Sequence, residues 1–239
     1  MSENKTGKYF KYAIGEILLV MIGILLALQV NNWNEDRKSK KMATEVYTNL
    51  LTSLEQDSIE VTRIINLLTK SLETQKQFIL STSDQYVKDL SQKDLNKMIE
   101  EIFSGVMSFF PKTGVYNLIT SNNSMDLLQS SEIKSLLINL YDFQYKRYEN
   151  VDAVIDNKYH YSIGALVRKK IGFIVEYNSN LEVDIIKQPD KNQFYEYYEE
   201  LVAECQDVYG VLSTGNNYLI GIRASISELI PLIRTELKK

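Results

Sequence analysis

The first hydrophobic pattern along the chain is continuous rather than periodic. From Tyr12 to Val30 the only charge is Glu16, and the only other strongly polar side chain is Gln29. Few soluble helices are apolar on every face for five turns. At 1.5 Å per residue the run covers about 28 Å, close to the thickness of a hydrocarbon core. Tyr9 and Tyr12 stand at one edge and Trp33 at the other, where amphipathic rings favour the headgroup layer. The pattern predicts a transmembrane helix over 12–30, flanked by 1–11, with a juxtamembrane linker over 31–44 and a soluble domain over 45–239. Lys5, Lys8 and Lys11 precede the run as they would in a secretory signal. The run is longer than a signal core, however, and Ala27-Leu28-Gln29-Val30-Asn31 lacks the small-x-small pattern a signal peptidase needs. The expectation is an uncleaved anchor.

The polar positions inside and beside this run are its candidate contact residues. A carboxylate at mid-bilayer costs up to about 2.5–3.5 kcal/mol, and less near an edge; Glu16 lies one turn in. Either it reaches back to the headgroups beside Lys8, Lys11 or Tyr12, or it meets a protein partner or another copy within the membrane. Gly23, seven residues on, lets a second helix approach the same face. Gln29, Asn31, Asn32 and Asn34 form a polar collar around Trp33, the interfacial anchor. Basic residues flank both ends, with Arg37, Lys38, Lys40 and Lys41 after the span. The tendency of the first helix to keep its basic N-terminus inside favours a cytoplasmic N-terminus and a domain outside.

Beyond the span the pattern becomes helical. No glycine or proline falls between Gly23 and Gly105, so long helices are permitted. Between Tyr47 and Ile79 apolar residues recur at heptad spacing. Leu51, Ile65, Leu72 and Ile79 form one row, interrupted by Ser58, and Leu54, Val61 and Leu68 form its neighbour. This seam fits the first helix of a bundle, or a coiled coil between copies. The stretch Asp84 to Ser91 reads as a connection. Ser91 with Asp94 predicts an N-cap for a helix running to about Phe110, ended by Pro111-Lys112-Thr113-Gly114. A short helix from Val115 follows, and then a long one capped by Ser130 or Ser131 and running toward Arg168. Phe173 to Val175 and Val183 to Ile185 are a candidate hairpin around Asn178-Ser179-Asn180. Two closing helices are expected, Phe194 to Val211 and Tyr218 to Leu237, with Pro231 kinking or restarting the second. The class is all-α: one transmembrane helix and an elongated helical bundle, with a small hairpin near 173–187.

Composition narrows the function mainly by exclusion. A net charge of −4 over 239 residues argues against nucleic acid as a partner, and Arg168-Lys169-Lys170 is too short a basic run to reverse this. With one histidine, His160, and one cysteine, Cys205, multi-histidine zinc sites, thiolate clusters and Glu-x-x-His di-iron sites have no residues to build them. A Ser-His-Asp site would have to use His160, and no Gly-x-Ser-x-Gly turn is present. No glycine-rich phosphate loop occurs either, so no cofactor and no enzymatic activity are expected. The tyrosines, Tyr141, Tyr145, Tyr148, Tyr159 and Tyr161, then Tyr195, Tyr197, Tyr198 and Tyr209, either pack bundle layers or line a groove.

Two stretches carry a family resemblance: Lys8-Tyr9-Phe10-Lys11-Tyr12-Ala13-Ile14-Gly15-Glu16-Ile17, and Ala27-Leu28-Gln29-Val30-Asn31-Asn32-Trp33-Asn34-Glu35. The chain resembles a bacterial single-pass membrane-protein family known only as a domain of unknown function. That family's N-terminal signature has the form KYxxYAIGEI…ALQxNNWNE. Weaker similarity continues through Val115-Tyr116-Asn117-Leu118-Ile119, Glu132-Ile133-Lys134 and Glu228-Leu229-Ile230. Ser121-Asn122-Asn123-Ser124 departs from the family's Ser-Ser-Gly turn. The resemblance implies an anchor in the bacterial inner membrane and a helical domain, and no activity. The expected function is a membrane-anchored binding or assembly module facing the periplasm, in contact with the bilayer and with a protein partner. The alternative is a structural subunit of a homo-oligomer assembled through the long first helix.

Overall fold

In a computed structural model, residues 5–81, 90–122, 124–177 and 183–238 are described, with side chains for all of these except 5–12, 177 and 183. The expected connection over 84–89 and the Asn178–Asn180 turn lie outside the described residues, as does the side chain of Tyr12.

The span and the bundle share one helix. α1 runs Lys5–Leu80 without a break over 76 residues, about 114 Å at 1.5 Å per residue. The linker expected over 31–44 is therefore itself helical. From Ala13 to Met42 every residue is exposed, and the first buried one is Tyr47. From there a stripe of steps of four and three is fully buried: Leu50, Leu54, Asp57, Val61, Ile64, Leu68, Ser71, Gln75 and Phe78. The row Leu54-Val61-Leu68 lies at its centre as expected. The other central row is Leu50-Asp57-Ile64-Ser71-Phe78, while Leu51, Leu72 and Ile79 sit on the half-buried flank.

α2, Gln92–Phe103, begins at Ser91, whose hydroxyl accepts the Asp94 N–H. It ends earlier than expected, because a 3₁₀ turn over Ser104–Val106 leads into an irregular segment over 107–113. Gly105 explains the close packing there, since a Cβ at that position would lie 2.0 Å from the Tyr159 hydroxyl. α3 spans Gly114–Ser121. α4 covers 131–171 and starts at Ser130, which caps it by accepting the Ile133 N–H.

α4 contains three π segments, Asn139–Tyr145, Tyr159–Ile163 and Val167–Ile171. Its buried residues account for them. Ile155, Tyr159, Ile163, Val167 and Ile171 recur every four positions, as do Leu137, Tyr141 and Tyr145. On a regular α-helix each such step drifts about 40° around the axis. The wider π turn, closed by i→i+5 bonds, holds these residues on one face.

Gly172 ends α4 at φ +77°, the left-handed conformation that favours glycine at a helix C-terminus. The expected hairpin follows: β1, Ile174–Tyr177, pairs antiparallel with β2, Val183–Lys187, placing Val175 opposite Ile185. α5 is Lys191–Glu196. The chain closes with one helix rather than two: α6 runs Tyr198–Glu236, 39 residues, through Gly210, Gly215 and Pro231. Pro231 removes a single backbone donor, and Leu229 and Ile233, buried on either side of it, keep the helix on the core.

The bundle's order follows from cross-helix bonds. Tyr198 Oη donates to Ser81 O at 3.1 Å, Asn216 reaches Thr69 at 3.3 Å, and Arg234 meets Glu55 at 2.7 Å, so α6 runs antiparallel to α1. Tyr145 bonds to Asp57 and Tyr159 to Gln75, so α4 runs parallel to α1. Phe78, Phe194 and Tyr198 close the end far from the span, with Phe78 and Tyr198 edge-on at 4.9 Å.

Candidate functional site

Apart from Tyr12, whose side chain is not described, the residues expected to contact the membrane lie on the exposed part of α1. Glu16, Gly23, Gln29, Asn31, Asn32, Trp33 and Asn34 are exposed, and a Cβ at Gly23 would meet nothing within 4 Å. Seven residues on an α-helix return to within 20°, so Glu16 and Gly23 share a face, with Ala27 one turn further on. The Arg37 guanidinium lies 5.9 Å over the Trp33 ring. No other element of the chain comes near these residues among those described.

A second site, which the sequence did not reveal, lies in the bundle. A groove of about 830 Å³ is bordered by α1 between Glu60 and Leu67, the end of α2, the segment 107–110, α4 and the base of the hairpin. Leu67, Phe103, Val106, Met107, Phe173 and Val175 give it an apolar floor, and Phe110 forms one wall while remaining 77% exposed. Its rim is charged. Glu60 accepts two bonds from Arg63 at 2.7 and 3.0 Å; these hold the carboxyl below its ordinary range and raise the guanidinium. Asp156 meets His160 Nε2 at 3.1 Å, and Glu100, exposed, lines the same groove.

Buried polar groups fix the wall of this groove. The Asp57 carboxylate accepts the Lys112 N–H through both oxygens at 3.1 Å, takes a bond from the Tyr145 hydroxyl at 3.2 Å, and has the Lys112 ammonium at 3.7 Å. Tyr148 Oη accepts the Phe109 N–H at 3.3 Å and donates to Asp152 at 2.8 Å. The segment carrying Phe110 is thus tied to α1 on one side and to α4 on the other. Burial raises the pKa of Asp57, against the lowering effect of Lys112 and Tyr145. It also raises that of Asp152, against its bonds from Tyr148 and Ser108. Behind the floor, Gln75 Nε2 donates to Tyr159 Oη at 2.7 Å and to Ser71 Oγ at 3.0 Å, and Ser71 donates to Ile102 O at 2.9 Å.

The groove brings His160 and Asp156 near two serines, yet no nucleophilic arrangement forms. Ser104 Oγ bonds to Glu101 O at 2.6 Å and Leu67 O at 3.2 Å. Among the described residues no hydrogen bond joins His160 to either hydroxyl. No group of three or more His, Cys, Asp or Glu among the described residues is placed to hold a metal. Cys205 is buried, which pushes its thiol up to about 12. Of the singled-out tyrosines, Tyr141, Tyr145, Tyr148, Tyr159 and Tyr198 pack the core, while Tyr161 and Tyr195 are exposed.

These features define a class: a helical bundle carried on a helix long and apolar enough to cross a membrane. The chain belongs to a family of unknown function (DUF6090), whose pattern matches residues 16–190. The matched stretch begins at Glu16 and so excludes the first half of the N-terminal motif. No curated protein and no solved structure matches the chain.

Proposed function

We propose that this protein is a single-pass membrane-anchored binding module. Its bundle faces the periplasm from the bacterial inner membrane, its N-terminus is cytoplasmic, and it recognises a partner without catalysing a reaction. The observation that carries this is the change of environment along one helix: α1 is exposed on every face from Ala13 to Met42 and buried along a stripe from Tyr47, beside an open apolar groove. A predominantly apolar surface left bare over the eighteen residues Ala13–Val30 fits a solvent other than water. The non-catalytic reading is supported by the engagement of Ser104 away from His160.

Orientation is tested by thiol labelling. Cys205 is buried, so the native chain gives the blank, and a cysteine at exposed Glu199 reports the bundle's side. The Glu199→Cys chain is expected to react with a membrane-impermeant maleimide once the outer membrane is permeabilised. Reaction only after inner-membrane lysis would place the bundle in the cytoplasm.

A structural subunit of a homo-oligomer is the second reading. What supports it is the Glu16–Gly23 face, which no described residue covers, rather than the α1 seam, which α6 occupies. Glu16→Leu is expected to remove a crosslinked species while preserving insertion; unchanged insertion together with an unchanged crosslinking pattern would end this reading.

A further inference from the structure

We infer that the groove beside Phe110 binds a segment of a partner protein that is apolar at its centre and cationic at its flanks. This rests on the binding-module reading above and names the chemistry of what is bound. The floor is apolar and the rim carries three carboxylates, Glu60, Glu100 and Asp156, against one guanidinium and one imidazole. Both of those basic groups are already engaged by a carboxylate on their own helix, Arg63 by Glu60 and His160 by Asp156. An incoming anion meets no unengaged cation among the described rim residues. An incoming lysine or arginine meets Glu100, which is exposed and has no ion pair among the described residues, and the net negative charge of the rim. Charge complementarity therefore selects a basic flank.

Two observations select a protein segment over a lipid or a small amphiphile. The groove's level on α1, Glu60 to Leu67, lies about 45–55 Å along the helix from Val30, beyond the reach of a headgroup layer. Phe110 is a groove wall with 77% of its surface exposed, and an occupant confined to the groove leaves that outer face uncovered. A chain that crosses the mouth covers it, as aromatic anchors are covered at the centres of protein interfaces.

The test uses the full-length chain in its native membrane, with the photocrosslinking residue p-benzoylphenylalanine replacing Phe110. The control carries it in place of Ile220, which is exposed on α6. The expected result is a protein adduct from position 110 that is absent from position 220. Its crosslinked peptide should be apolar with lysine or arginine on both flanks, and Glu100→Lys should lower the yield about tenfold, one charge contact's worth, with helical circular dichroism unchanged. Adduct on an acidic or uncharged segment, or a yield indifferent to Glu100→Lys, would overturn the cationic assignment and leave the binding module standing. Adduct only on lipid, or no protein adduct specific to position 110, would overturn both.

Discussion

Asp57 shows how a single side chain decides the shape of the groove. It is fully buried on the central stripe of α1 and is the point at which the 107–113 segment is fastened. Burial raises its folded pKa above the ordinary 3.8, so over an interval above that value the folded state holds a proton the unfolded chain has released. The stability this contributes is fully present below about 3.8 and is lost as pH rises through the folded pKa. Glu60 and Asp142, held low by Arg63 and by Tyr116 with Lys146, act in the opposite sense, but only below their ordinary values. Between pH 4.5 and neutrality the raised groups, Asp57 and Asp152, therefore set the carboxylate contribution. Asp57→Asn keeps an acceptor for the Lys112 N–H and abolishes the titration. Its melting temperature, followed across that range, is expected to fall less with rising pH than that of the native chain. A parallel pair of curves would show that Asp57 is not the titrating group.

At the scale of elements, the contact between α1 and α4 rests on polar pairs inside a hydrophobic stripe. Gln75 and Tyr159 are both buried and bonded at 2.7 Å, so removing either costs the other a buried hydrogen bond, although each keeps a contact with Ser71. A double-mutant cycle with Gln75→Leu and Tyr159→Phe is expected to give a coupling of about 0.5–3 kcal/mol; additive effects would mean the pair does not join the helices. The same polar residues explain what the sequence concealed. Asp57, Ser71 and Gln75 interrupt the apolar rhythm of α1, so the heptad pattern points to the row through Leu51 and Leu72 although the buried one runs through Leu50 and Phe78. Their partners, Tyr145 and Tyr159, lie more than eighty positions away, where no local pattern connects them. The caps at Ser91 and Ser130 were legible because capping is local. The π segments were present in the sequence as the unbroken steps of four from Ile155 to Ile171. The gap expected between Val211 and Tyr218 and the restart expected at Pro231 are bridged by α6, whose buried Leu212, Asn216, Leu229 and Ile233 keep it on the core. The groove could not be read, since five separate segments contribute to it.

For the whole molecule, the disposition of α1 sets what the bundle can meet and in what state. Residues 31–46 form about 24 Å of helix between the apolar run and the first buried residue, polar around most of its circumference, as expected of a helix bridging through water. The bundle then stands clear of the span, and its groove lies about 45–55 Å along α1 from Val30. The seam that a coiled coil between copies would need is already filled, because α6 returns antiparallel along α1 and buries Leu219, Ile222, Ile226 and Leu229. Self-association through the buried seam of α1 would have to displace α6 and expose those residues, at roughly 1.5–3 kcal/mol for each side chain, a cost that copy-to-copy contacts would only replace in kind. A fragment comprising residues 40–239, which drops the apolar run and keeps the stripe, is therefore expected to sediment as a monomer across a wide concentration range. A dimer that strengthens with concentration and is lost on charge substitution at Ile59, exposed on the outer face of α1, would instead assign that outer face to a second copy and shift the function toward a structural subunit.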